Sequence, residues 1–233
     1  LKRYLSNILD YILPPKCLSC DEAVVAEFSF CPSCWNKLNF ITKPFCQICG
    51  RSLAFSVLDP CCLKCLQKPP LYDLARAALQ FDFASKKLIH NLKYYDKTIL
   101  AKAFAKTIFN TYKEEIATFD LILPVPMHRF KRMLRFYNQA FILAKELATI
   151  AQKPILSDVL LKTKWSKPQA WLSRKERENN LKNSFAIKNS AKIQDKKIIL
   201  VDDVLTTGST AKICAYELKK YAAKVFVLCI AFT

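Results

Sequence analysis

The sequence predicts an α/β fold, an open and mostly parallel sheet, preceded by a small cysteine-rich module. Three observations predict it. From residue 74 onward, apolar runs short enough to be buried strands alternate with stretches of helical periodicity. Nine of the eleven cysteines fall before residue 66. Between these two compositions lies Pro69-Pro70, which divides the chain into residues 1–70 and 71–233.

The first fifteen residues, LKRYLSNILDYILPP, are weakly amphipathic. Asp10 interrupts them and no small-residue cleavage site follows, so a packed or interfacial helix is expected rather than a signal peptide. No apolar run reaches the roughly 18–20 residues that span a bilayer. The expected location is cytoplasmic.

Eight cysteines then form four C-x-x-C pairs: Cys17/Cys20, Cys31/Cys34, Cys46/Cys49 and Cys62/Cys65. Two intervening residues let both thiolates reach one tetrahedral ion, so each pair reads as a zinc knuckle. Ten residues separate the first two pairs and twelve the last two, a pseudo-repeat. Pairing in sequence, into two Cys₄ sites, closes the shortest loops and is expected for that reason. Interleaved pairing, as in a cross-brace, fits the same spacing. Cys61 is an alternative ligand to Cys62, and spacing favours Cys62. Gly50, directly after Cys49, fits the turn of a knuckle. Disulfides are the competing reading; four regular pairs in a reducing compartment favour zinc. Four thiolates leave the ion no open position, which makes the expected Zn²⁺ structural.

In the larger part, LARAALQFDF (74–83) reads as a strand. Residues 85–95 and 99–112 carry helical periodicity, and 119–125 is a short buried strand running into PVP. Residues 138–151 are helical again, and 154–161 and 184–188 are short extended pieces. Residues 197–201, 210–221 and 224–231 complete a strand–helix–strand unit. Cys214 and Cys229 stand alone on its helix and last strand and are expected in the core. Ligands of such sheets bind beyond the carboxyl ends of strands, where both PVP and VDD lie.

The segment KKIILVDDVLTTGSTAK (196–212) carries the most specific signal. An apolar strand ends in Asp202 and Asp203. Small residues follow, Thr206, Thr207, Gly208, Ser209 and Thr210, and then a helix begins. Gly208 is one of two glycines in the chain. It lets the backbone take positive φ and lets a ligand come close. Unpaired N–H groups at a helix start favour phosphate. No lysine follows the glycine, so this is not a Walker A loop. The paired carboxylates suit ribose hydroxyls and the water shell of Mg²⁺. Adjacent strand residues point to opposite faces, so the two acids are expected to have unequal roles.

Net charge is +18, with 37 basic and 19 acidic residues. Residues 1–70 hold 8 Lys/Arg against 5 Asp/Glu, and residues 71–233 hold 29 against 14. This asymmetry points to a polyanionic partner for the larger domain. Two stretches concentrate arginine: Arg129, Arg132 and Arg135 after PVP, and Arg174 and Arg177 further on. Their forked guanidinium groups suit pyrophosphate or DNA phosphates. Trp165 and Trp171 flank Lys167, an arrangement open to base stacking or to core packing. His90 and His128 lack partners at metal-ligand spacing.

VDDVLTTGST closely resembles the 5-phosphoribosyl-1-pyrophosphate (PRPP) motif of type I phosphoribosyltransferases. The resemblance implies that Asp202 and Asp203 contact the ribose, that Thr206 to Thr210 bind the 5′-phosphate, and that Mg²⁺ accompanies PRPP. The ordered set of four C-x-x-C pairs, LKYY (92–95), PVP, RFYNQA (135–140), QAWLSRKERENN (169–180) and VDDVLTTGST resembles ComF-type competence proteins over nearly the whole chain. That family usually has RGFNQA; Phe136 stands here in place of its glycine. The implied fold is the type I phosphoribosyltransferase sheet with a zinc-ribbon-like N-terminal module. The implied role is uptake of transforming DNA. It includes binding single-stranded DNA in the cytosol near the inner membrane, alongside a helicase and a channel protein. Two other readings are open at this stage: an active phosphoribosyltransferase that uses PRPP and Mg²⁺ with a nitrogen acceptor, and a PRPP-sensing regulator.

Overall fold

The computed structural model describes residues 14–54, 60–94, 99–127, 137–163 and 184–233. The expected N-terminal helix lies outside them. So do Arg129, Arg132, Arg135, Arg174 and Arg177, with His128, Trp165 and Trp171.

Two short helices, α1 (Pro32–Trp35) and α2 (Leu63–Gln67), belong to the cysteine-rich part. The larger part runs β1 (Leu74–Gln80), α3 (Phe83–Tyr94), α4 (Ile99–Ala117), β2 (Leu121–Pro124), α5 (Gln139–Ala151), β3 (Leu160–Lys162) and β4 (Phe185–Ile187). It ends with β5 (Lys197–Val201), β6 (Val204–Leu205), α6 (Ser209–Leu218) and β7 (Lys224–Phe232). The main sheet is parallel, in the order β1-β7-β5-β2, with β6 also on β7; β3 and β4 form a separate antiparallel pair.

Strand alternation sorts the side chains into two cores. Ile199, Val201, Phe226 and Leu228 pack against α3, α4 and α5 through Leu88, Phe104, Ile108 and Leu143. Ile198, Leu200, Val225 and Val227 face the other way, against Ala211, Cys214 and Leu218 of α6. Strands buried on both faces read as continuous apolar runs, the pattern that marked them in the sequence. Cys214 and Cys229 are fully buried, as expected of core residues. Burial raises both thiols, and the charge of Asp202 adds to the shift.

Two elements differ from expectation. The helix expected to stop at Tyr112 continues to Ala117, with a break at Tyr112 (φ −123°, ψ 28°). The buried Tyr112 hydroxyl donates to the carbonyl of Ala77 in β1, 2.7 Å away. The second difference is β6, which lies between the two acids and the expected turn at Thr206–Thr210. Val201 pairs with Leu228, and Val204 with Ala231, in the same register. Pairing with β7 therefore continues past the two acids.

The edge strand β1 is covered. Ala75 N–H donates to Ile48 (2.7 Å), Ile41 N–H to Ala78 (3.0 Å) and Gln80 N–H to Asn39 (2.8 Å). The cysteine-rich part thus caps an edge whose backbone groups would otherwise lack partners. Arg76, only 6% exposed, lies within this seam. It donates to Gln47 O (2.9 Å), stacks over Phe45 and approaches Glu115 (3.6 Å).

Candidate functional site

The segment after β5 is held from one side. Asp202 N–H donates to Leu228 O (2.9 Å), and Ile230 N–H donates to Asp203 O (3.0 Å). Each acid also accepts from the next backbone N–H: Asp202 Oδ1 from Asp203 (2.9 Å) and Asp203 Oδ1 from Val204 (2.8 Å). Those bonds fix both carboxylates relative to the backbone. On the other side β2 stops at Pro124, paired with Val201, so the acids stand beyond its carboxyl end. Alternation puts Asp202 on the α6 side, in agreement with its effect on Cys214 and Cys229. Both acids are partly exposed.

Gly208 is the N-cap of α6, with φ 72° and ψ 6°. A Cβ there would meet nothing nearer than Leu205 Cδ1, at 4.0 Å. The glycine serves the left-handed backbone, and the space beside it is open. Ser209 is buried; its hydroxyl pairs with Thr207 Oγ1 (2.8 Å), and its N–H also reaches that oxygen (3.4 Å). The first N–H groups of a helix have no carbonyl one turn earlier. Thr206, Thr207 and Thr210 surround that helix start, and Thr206 is exposed. Two carboxylates and a hydroxyl-rich helix start thus share one end of the sheet. Of the RFYNQA motif, Asn138 caps α5 and donates to Val125 O (3.0 Å), tying the helix to the end of β2. Tyr137 donates to Leu92 O (2.7 Å). Both contacts are architectural.

The eight paired cysteines form two clusters, Cys17/Cys20/Cys31/Cys34 and Cys46/Cys49/Cys62/Cys65. Within each, the thiols lie within 4.8 Å of one another. Cys62 and not Cys61 completes the second cluster. The two repeat one plan. The third cysteine's N–H points at the first one's sulfur, Cys31 to Cys17 (3.2 Å) and Cys62 to Cys46 (3.3 Å). The third cysteine also caps a short helix, Cys31 for α1 and Cys62 for α2. Burial raises the thiols of Cys17 and Cys46, but backbone N–H donors outweigh it and bring each down to about 6. One thiolate-favouring first cysteine and four converging sulfurs in each cluster fit structural Zn²⁺.

The seam residue Arg76 and the bond from Asn39 to Asp82 (2.6 Å) had no sequence signal. Each joins positions far apart in the chain.

A parallel sheet with paired acids and a small-residue helix start at one end, and two Cys₄ clusters beside it, defines a phosphoribosyltransferase-type domain joined to a double zinc ribbon. Family comparison agrees: residues 138–233 match the phosphoribosyl transferase domain, and residues 8–66 match the double zinc ribbon domain. The chain is 28% identical to Competence protein F of Haemophilus influenzae over 212 residues, covering 88% of this chain and 91% of that protein. It is 29% identical to DNA utilization protein YhgH of Escherichia coli K12 over 228 residues, covering 95% and 98%. With Competence protein ComFC of Bacillus subtilis it shares 25% over 219 residues, covering 85% and 86%. The two domain matches and these relatives together support a ComF-family protein. Among the described residues no helix is long and apolar enough to cross a membrane.

Proposed function

We propose that this protein is a DNA-uptake factor that binds PRPP, or a related phosphoribosyl ligand, together with single-stranded DNA. The observation that carries the first half is the Asp202–Thr210 backbone. Its acids are fixed beside β7, and its left-handed glycine opens onto free space at a helix start. In this reading Asp202 and Asp203 hold the ribose hydroxyls, directly or through the water shell of Mg²⁺. The backbone and hydroxyls from Thr206 to Thr210 hold the 5′-phosphate. Bound Mg²⁺ would offset the charge of the pyrophosphate. The second half is supported by the relatives' names, which speak of competence and DNA utilization, and by the net charge of +18. Arg129, Arg132, Arg135, Arg174 and Arg177 are the proposed phosphate contacts. The setting is the cytoplasm near the inner membrane, next to a DNA-uptake helicase and channel.

Calorimetric titration with PRPP and Mg²⁺ tests the site. Binding to the wild type is expected, with a loss of at least about tenfold in Asp202→Ala/Asp203→Ala. Equal affinity of the two proteins overturns the assignment, as does no binding by the wild type. The domain match over residues 138–233 favours a second reading, phosphoribosyl transfer to a nitrogen nucleophile. Release of pyrophosphate from PRPP that depends on such an acceptor would establish it.

A further inference from the structure

A groove of about 1120 Å³ opens at the amino end of the sheet, opposite the paired acids. Its floor is Leu74, Lys197 and Lys224, the first residues of β1, β5 and β7. One wall is the strip Ile41–Phe45 from the cysteine-rich part, and the other is the late part of α4, Asn110 to Glu115, with Thr118 just past the helix end. The five residues of β5 put this floor about 16 Å from Asp202.

The groove is lined by four lysines and three acids, and Asp120 at its edge accepts from Lys197 N–H (2.7 Å). Lys43, Lys113, Lys197 and Lys224 line it and are exposed. Among the described residues, none of their ammonium groups has a hydrogen-bond or ion-pair partner. The acids of the lining are largely engaged. Asp73 is held by Lys219 (2.8 Å) and by Val225 N–H (2.7 Å), and Glu115 faces Arg76 (3.6 Å). Only Glu114, exposed at the rim, has no such partner among the described residues. Thr42, Asn110, Thr111 and Thr118 add small polar groups. The volume exceeds the roughly 300–1,000 Å³ of small-molecule pockets. A groove of this size whose lysines have no partners while most of its acids are engaged suits a chain of phosphates, as in grooves that track single strands.

We propose that this groove is a phosphate-backbone track for single-stranded DNA, separate from the phosphoribosyl site. The proposal rests on the DNA-handling reading given above. It places the polyanion on the seam between ribbon and sheet, so that both halves of the chain hold the strand.

The test uses the full zinc-loaded chain and a fluorescent oligothymidylate, with anisotropy read across a salt series. The variant is Lys43→Gln/Lys113→Gln/Lys197→Gln/Lys224→Gln. Each phosphate contact contributes about −0.7 to the slope of log affinity against log salt. The variant should bind at least tenfold more weakly at low salt, with a slope shallower by about 2–3. Its PRPP affinity should stay unchanged. In the wild type, bound oligonucleotide should protect these four lysines from acetylation, a readout that does not depend on the variant folding. Variant binding within twofold of wild type, or four lysines left unprotected, overturns the groove and leaves the DNA-handling reading standing. A wild type that binds no oligonucleotide fails that reading itself, and the groove with it. Displacement of the oligonucleotide by polyglutamate of equal charge would assign the groove to acidic peptide instead.

Discussion

The two zinc ribbons share one local plan and differ in what surrounds it. In each, the N–H of the first cysteine bonds the carbonyl five residues on, Cys17 to Glu22 (2.7 Å) and Cys46 to Arg51 (2.8 Å). In each, the residue after the second cysteine turns left-handed, Asp21 at φ 62° and Gly50 at φ 72°. The first ribbon can place an aspartate there because Asp21 is exposed. The second cannot. A Cβ on Gly50 would lie 2.4 Å from Ala75 O in β1. Cys46, Cys49 and Cys65 belong to the same buried cluster as Leu200, Val227 and Cys214 of the sheet and α6. No cysteine of the first ribbon lies in either core cluster; it attaches through Leu18 and Leu38 to the α3–α4 side. One repeat is thus an appendage, and the other is part of the domain it was expected merely to precede.

That contrast breaks most sharply at the metal ligands. Cys46→Ser should abolish cooperative folding, because a structural zinc site contributes on the order of 10 kcal/mol and a domain's whole stability is of similar size. Cys17→Ser should halve the bound zinc and lower the main thermal transition by only about 5 °C. Calorimetric melting with zinc quantitation distinguishes the two, and equal losses would refute the unequal roles. A smaller effect is expected from exchanging the turn residues. Gly50→Asp should cost more than about 3 kcal/mol, since left-handed strain adds to a backbone overlap. Asp21→Gly should stay within about 0.5 kcal/mol, as expected of an exposed site. Denaturant midpoints would show it. A third substitution sharpens the comparison from outside: Gly208 has the same positive φ as Gly50 but open space around it, which Gly208→Ala probes. It should cost only about 1–2 kcal/mol of stability. A loss at Gly208 as large as that at Gly50 would mean that crowding is not the cause.

Much of this architecture was legible because it rests on local regularities. Buried strands wrote themselves as apolar runs, and the C-x-x-C spacing gave the ligands of each zinc site, including Cys62 over Cys61. The composition of residues 201–210 marked a helix start with a left-handed glycine at 208. What stayed hidden depends on distant partners. Gly50 read as a knuckle turn, yet its stricter constraint comes from Ala75 across the seam. Arg76 carried no signal of its own within the strand LARAALQFDF, yet it is buried between Gln47, Phe45 and Glu115. The strand through Asp202 and Asp203 read as finished because the acids interrupt its apolar run, while its register with β7 carries on. Helix α4 outran its expected end because Tyr112, which breaks the helical geometry, is pinned to β1 rather than freed.

Covering β1 with the strip from Asn39 to Ile48 also guards the molecule against its own copies. A strand edge with open amides and carbonyls is a template for pairing with another chain. Zinc limitation during synthesis would therefore bare that edge and favour self-association as well as unfolding.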